Sequence, residues 1–320
     1  MRILVADRFS DAAMAQLRSD GHEVEYAPDL DEATLGSALA GFDGLVVRST
    51  RVTEAAIEAS ETLQLVVRAG AGTNTIDLVA AAGNSVVVCN TPGKNADAVA
   101  ELTMGLILAI DRNIPDNVAD LREGVWNKKT YSQARGLKGR RLGIVGFGEI
   151  GSEVAKRAAA FGLAIFTVDR SGRSEAALER MAQLDVTTVA NLEELFAAVD
   201  IISLHVPSAP VTSGIIGREL LAYVNPGTVI INTSRGEVVD EAAVLEVIDE
   251  KDLRIGTDVF LAEPAAGSNV FDSAFARHPR VYGTHHIGAS TEQSQQAVAD
   301  EVVAVIESFA SGNVRNQVLG

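Results

Sequence analysis

The sequence predicts an α/β protein built from two doubly wound parallel-sheet domains. Three observations carry this. Short runs of Val, Ile and Leu recur along the chain with stretches of helical periodicity between them. Runs too uniformly apolar to alternate suit strands covered on both faces by crossover helices. The alternation also lapses over Arg112 to Lys138 and restarts at Arg141, giving two series of different length. Finally, 320 residues is the length of about two ordinary domains.

In the first series the strand candidates are Ile3–Ala6, Val24–Tyr26, Gly44–Val47, Leu65–Val67 and Val86–Val88. Helical spacing lies between them at Asp11–Arg18, Asp31–Ala40 and Thr53–Ala59. A helix follows over Asp97–Ile110, with Val99, Leu102, Leu106, Ile107 and Ile110 in one stripe. The polar stretch Arg112 to Lys138, which holds the single tryptophan Trp126, reads as irregular. The second series offers strands at Leu142–Val145, Ala164–Val168, Ile201–Leu204, Thr228–Asn232, Arg254–Asp258 and Val281–Gly283. Helices are expected at Glu149–Phe161, Leu192–Ala198, Arg218–Tyr223 and Glu241–Ile248. A last helix runs over Thr291–Phe309, with Ser290 and Gln293 at capping-box spacing.

Composition narrows the function classes. Hydrophobic residues make up 47% and charged residues 22%, ordinary for a soluble protein with a real core. Twenty-seven Lys and Arg against 43 Asp and Glu give a net charge of −16. That argues against nucleic acid or an anionic membrane as partner, while a small anionic substrate needs only two or three placed cations. The single cysteine, Cys89, excludes an intramolecular disulfide and a secreted disulfide scaffold. Asp7 interrupts any apolar leader, and the longest apolar run, Leu102 to Ile110, is about half a bilayer span. A cytoplasmic location is expected.

Gly146-Phe147-Gly148-Glu149-Ile150-Gly151 directly follows the run Leu142 to Val145 and opens a helical pattern. The three glycines differ in what they permit. Gly146 allows the tight turn, Gly148 a close backbone approach to a pyrophosphate, and Gly151 helix–strand packing. The helix N-terminus then offers free N–H groups to phosphate. Asp169 ends the next strand candidate, 18 residues beyond Gly151, where an acid bonds the ribose hydroxyls of NAD. Arg170 and Arg173 could instead accept the extra phosphate of NADP; NAD is the expected cofactor, and no metal is expected.

Three further strand ends carry polar residues: Asn232-Thr233-Ser234-Arg235-Gly236, Asp258 to Pro264, and Thr284 to Ser290. Open α/β sheets bind ligands at such ends, so Arg235, Glu263 and His286 could converge. A guanidinium can take a carboxylate bidentately and polarise the adjacent carbonyl. A histidine can exchange a proton with that oxygen, and a neighbouring carboxylate favours its protonated form.

At these residues the sequence resembles the D-isomer-specific 2-hydroxyacid dehydrogenases. The marks are N-T-S-R-G-E-V-V-D-E (Asn232–Glu241), D-V-F-L-A-E-P from Asp258 and H-I-G-A-S-T from His286, and the likeness runs from Val46-Val47-Arg48-Ser49 to the last helix. The resemblance implies Arg235, Glu263 and His286 as catalytic residues and a small 2-hydroxy or 2-oxo acid as substrate. It implies a Rossmann NAD-binding domain, residues 98–286, inserted in a discontinuous flavodoxin-like substrate-binding domain, residues 1–97 and 287–320. It places Glu149 and Ile150 at the pyrophosphate, Thr233 and Ser234 beside the nicotinamide riboside, Asp258 at the carboxamide, and Gly288 among the cofactor contacts. It further implies a homodimer built around the helix of Asp97–Ile110 and the segment after it. His205, in Leu204-His205-Val206-Pro207, reads as structural.

Arg48 and Arg68 each stand at a strand end of the first series, a pairing similar to the 3-phosphoglycerate dehydrogenases of that family. It implies a phosphate clamp, with Ser49, Gly70 and Asn95 also at the substrate. The implied reaction is oxidation of 3-phospho-D-glycerate to 3-phosphohydroxypyruvate, in serine biosynthesis. The sequence stopping at Gly320 implies a short form without the regulatory domain of longer relatives. Lys94, Asn74 and Ala71 depart from the family pattern. Reduction of glyoxylate, hydroxypyruvate or another 2-oxo acid is the alternative activity, and an NAD-responsive corepressor the alternative class.

Overall fold

The computed structural model describes residues 1–264 and 270–318. The chain divides into two units: Met1–Asn95 with the segment from Ser290 onward, and Ala96–Ala289.

In the first unit five short strands alternate with helices: β1 (Arg2–Val5), α1 (Asp11–Ser19), β2 (Glu23–Tyr26), α2 (Glu32–Ala38), β3 (Gly44–Val47), α3 (Glu54–Glu58), β4 (Leu65–Arg68), α4 (Leu78–Gly83) and β5 (Val87–Cys89). They pair in parallel in the order β2-β1-β3-β4-β5. Buried central strands explain the runs of Val and Leu: every residue of β3 is buried. Edge strand β2 instead shows Glu23, Glu25 and Tyr26 to solvent, as an unpaired edge tolerates. The helices start where a side chain can take an orphan amide. Ser10, Thr53 and Asp77 accept from Ala13, Ala56 and Ala80 respectively.

The second unit opens with α5 (Ala96–Asp111), α6 (Ile114–Arg122) and α7 (Lys128–Tyr131). These last two correct the expectation of an irregular stretch. Pro115 sits in the first turn of α6, where a missing N–H costs nothing. None of the α6 residues is buried, so within this unit the sequence has no core-facing stripe to display.

Then follow β6 (Arg141–Val145), α8 (Glu149–Ala160), β7 (Ala164–Val168), α9 (Glu175–Gln183), β8 (Thr187–Val189), α10 (Leu192–Ala198), β9 (Ile201–Leu204), α11 (Arg218–Tyr223), β10 (Val229–Asn232), α12 (Glu241–Val247), β11 (Arg254–Thr257), α13 (Ala274–Arg277) and β12 (Val281–Gly283). All seven strands are parallel, in the order β12-β11-β10-β9-β6-β7-β8.

The chain returns to the first unit in α14 (Glu292–Ala310), which packs Val298, Val302, Val305 and Ile306 with Ile3, Val5, Val46 and Val67. Its cap is Thr291, whose side chain accepts from Ser294, not Ser290 as the capping-box spacing suggested. Among the described residues no helix is long and apolar enough to cross a membrane.

Candidate active site

The glycine loop between β6 and α8 has the shape of a phosphate cradle. Gly146 has φ +96°, and a Cβ there would stand 2.3 Å from the His205 carbonyl oxygen. A Cβ on Gly151 would stand 2.2 Å from the Gly146 carbonyl oxygen, so these two glycines answer to packing. Gly148 differs: nothing lies within 4 Å of where its Cβ would be. It is the N-cap of α8 and supplies no side-chain cap, leaving the first amides of the helix to an incoming anion. The residues present therefore fit a dinucleotide pyrophosphate. Glu149, in the first turn, is drawn aside by Arg180 at 3.1 Å.

Asp169 follows β7, beside β6, with its amide bonded to the Val189 carbonyl and its side chain exposed. Arg173 folds back, donating to the Val168 carbonyl at 2.6 Å with its guanidinium 5.9 Å from the Phe147 ring centroid. Arg170 is exposed.

Arg235 belongs to the loop after β10. Asn232 braces that loop: its Oδ1 accepts the amide (3.0 Å) and hydroxyl (2.8 Å) of Ser234, and its Nδ2 donates to the Arg235 carbonyl at 2.9 Å. Thr233 shares a hydroxyl–hydroxyl bond of 2.9 Å with Thr103 on α5. The hydroxyls of Thr233 and Ser234 are thus engaged within the protein. A Cβ on Gly236 would meet the Phe260 carbonyl carbon at 2.2 Å, so this glycine lets the Arg235 loop rest on the loop that carries Glu263.

Glu263 places one carboxylate oxygen 3.1 Å from the Phe260 amide and the other 2.7 Å from His286 Nδ1. With Nδ1–H given to the carboxylate, Nε2 is the nitrogen left for a substrate. The hydrogen bond from Glu263 raises the His286 pKa, outweighing partial burial and the nearby Arg235, with the charges of Glu263 and Asp258 adding to it. Burial pushes the Glu263 pKa up, but its bonds to His286 and Phe260 more than offset this and hold it low.

Asp258, expected at the carboxamide, is 2% exposed and fully engaged by the His286 turn. Its carboxylate accepts the Thr284 hydroxyl (2.6 Å) and the amides of Ile287 and Gly288 (2.8 Å each), while its carbonyl accepts the His286 amide. His205 is half-buried, bonded to the Ser203 hydroxyl at 2.8 Å, and desolvation pushes its pKa down to about 3. That shift favours the neutral form.

In the first unit, Arg48 and Ser49 follow β3, and their amides, with that of Thr50, converge on Asp7 Oδ2 at 2.6, 3.0 and 3.0 Å. Arg68 ends β4 and lies over Gly70, whose absent Cβ would fall 1.4 Å from Arg68 Nη1. Asn95 closes this part of the unit, next to Lys94, which pairs with the buried Glu301 at 3.0 Å. The unusual Lys94 therefore has an ion-pair role. Among the described residues no cluster of His, Cys, Asp or Glu could hold a metal.

Residues 104–288 match the family profile described as D-isomer specific 2-hydroxyacid dehydrogenase, NAD binding domain. The chain is 40% identical to the hydroxypyruvate reductase of Thermotoga maritima, over 92% of this chain and 94% of that protein. The chain belongs to the D-isomer-specific 2-hydroxyacid dehydrogenase family. Another member, the D-3-phosphoglycerate dehydrogenase of Methanocaldococcus jannaschii, is 39% identical over 99% of this chain, which spans 59% of that protein's length. The structure of the NAD+-bound 3-phosphoglycerate dehydrogenase of Entamoeba histolytica superposes with a TM-score of 0.80 at 32% identity, covering 100% and 99% of the two chains.

As a family member the protein carries the NAD-binding domain in its second unit. Sequence reasoning missed Asp7 and Asn232, which touch only backbone and neighbouring hydroxyls. The one signal for each was an acid or amide at the end of an apolar run.

Proposed function

We propose that the protein oxidises 3-phospho-D-glycerate to 3-phosphohydroxypyruvate with NAD, the reaction that enters serine synthesis. The observation that carries this is the 2.7 Å bond from His286 Nδ1 to Glu263, with Arg235 on the loop that packs against Glu263's own. In this reading Arg235 takes the substrate carboxylate and polarises the C2 oxygen. His286 Nε2 receives the hydroxyl proton as the C2 hydrogen departs with its electron pair, and Glu263 steadies the imidazolium that forms. NAD, when bound, supplies the hydride acceptor. Gly146, Gly148, Gly151, Ile150 and Asp169 would hold it, and Arg48, Ser49, Arg68, Gly70 and Asn95 would serve the substrate. Replacing His286 with Ala is expected to cut turnover about a hundredfold or more while NAD binding survives. Turnover near the wild-type rate would remove His286 from the chemistry.

Reduction of hydroxypyruvate is the second reading. It is favoured by the Thermotoga maritima relative, which matches this chain over nearly the whole length of both.

A homodimer is part of the same proposal. Ile114, Val118, Leu121 and Val125 repeat at helical spacing along α6 and beyond it, each 39% to 52% exposed, followed by Trp126 at 80%. An exposed apolar stripe of this kind suits a second copy. Light scattering should give twice the chain mass, and a monomer at micromolar concentration would refute it.

A further inference from the structure

We propose that the open cavity of about 870 Å³ at the C-terminal edge of the first sheet seats a dianionic, phosphate-type group, and that Arg8 with Arg48 holds it there. Arg8 is thereby a specificity-determining residue for the proposed reaction, on whose reading this inference rests. In the order β2-β1-β3-β4-β5 the chain leaves β1 toward one edge and resumes at β3 on the other side. The loops after β1 and β3 therefore open at the point where the connections reverse direction, and open α/β sheets take their ligands there.

Arg8 follows β1 and Arg48 follows β3, and Asp7 stitches the two loops together through the amides of residues 48 to 50. The two guanidiniums are thus carried on one braced frame. Both residues line the cavity, with Phe9, Ser10 and Ala69. Neither has an ion-pair partner among the described residues, in a chain with a net charge of −16. Glu292 and Asp300 of α14 line it as well, and Gln296 bonds Asp300 at 2.7 Å. These carboxylates repel an anion and so confine the seat to the Arg8–Arg48 side. Arg68 is not among the lining residues, since its guanidinium lies over Gly70. The second cation beside Arg48 in this cavity is Arg8.

The test is a calorimetric titration of inorganic phosphate into the protein saturated with NAD, so that the glycine loop is occupied. R8Q and R48Q are each expected to weaken phosphate binding about tenfold or more, the value of a lost charge-assisted hydrogen bond. R18Q removes the same charge from the far end of α1 and should change it less than about twofold. Wild-type affinity in R8Q, or no phosphate binding by the wild type, would overturn the proposal. Failure of the dehydrogenase reading shows separately, as no NADH formed by the wild type from any 2-hydroxy acid.

Discussion

His286 adopts φ +52°, a left-handed backbone uncommon outside glycine, which asparagine, aspartate and histidine enter more readily than other residues. Such a conformation persists only where its surroundings over-determine it. Here Asp258 does so, through its carbonyl to the His286 amide and its carboxylate to the two amides that follow. Glu263 then fixes the ring. Because that carboxylate raises the His286 pKa, the neutral imidazole that the proposed mechanism needs as proton acceptor is reached only at higher pH than for an ordinary histidine. In E263Q the pKa should fall, moving the acid limb of kcat/KM for oxidation to lower pH, together with the limb on which the reverse reaction fails. A profile identical to wild type would detach Glu263 from the titration. The residue types of this site were legible because Arg, Glu and His stand at the ends of apolar runs. The service of Asp258 and Asp7 was not, because a carboxylate that gathers backbone amides across 29 or 41 residues leaves no trace in local spacing.

At the scale of elements, the glycines separate packing from binding. Gly236→Ala drives a methyl into the Phe260 backbone and should destabilise the protein by roughly 1–3 kcal/mol, read as a lower Tm. Gly148→Ala meets open space at φ −85°, so stability should change by about 1 kcal/mol or less. NAD affinity should nonetheless fall about tenfold or more, since the methyl stands where amides must approach phosphate. Unchanged NAD affinity in Gly148→Ala would place the cofactor elsewhere. Every strand but β8 was legible as an apolar run, as were most of the longer helices with a core stripe; α9 was not expected, because it buries only Ala177 and Met181. β8 is a three-residue, largely exposed edge strand with two threonines, so it has no apolar run to show. The helix α13 has only four residues, and α4, from Leu78 to Gly83, has no polar residue to mark a period. α6 has nothing buried within its unit, so its stripe had no visible reason.

At the scale of the whole molecule, the net charge of −16 describes the solvated surface. Against that background the proposed reaction asks for cations, and the proposal assigns Arg235 to the substrate carboxylate and Arg8 with Arg48 to its phosphate. The expected substrate is accordingly one with both a carboxylate and a phosphate. The most direct measurement is the initial rate of NADH formation by the purified protein with 3-phospho-D-glycerate and, in parallel, with D-glycerate. A kcat/KM about a hundredfold or more higher for the phosphorylated acid is expected, as two charge-assisted contacts to phosphate require. Equal values, or a preference for the unphosphorylated acid, would contradict a phosphate-directed dehydrogenase.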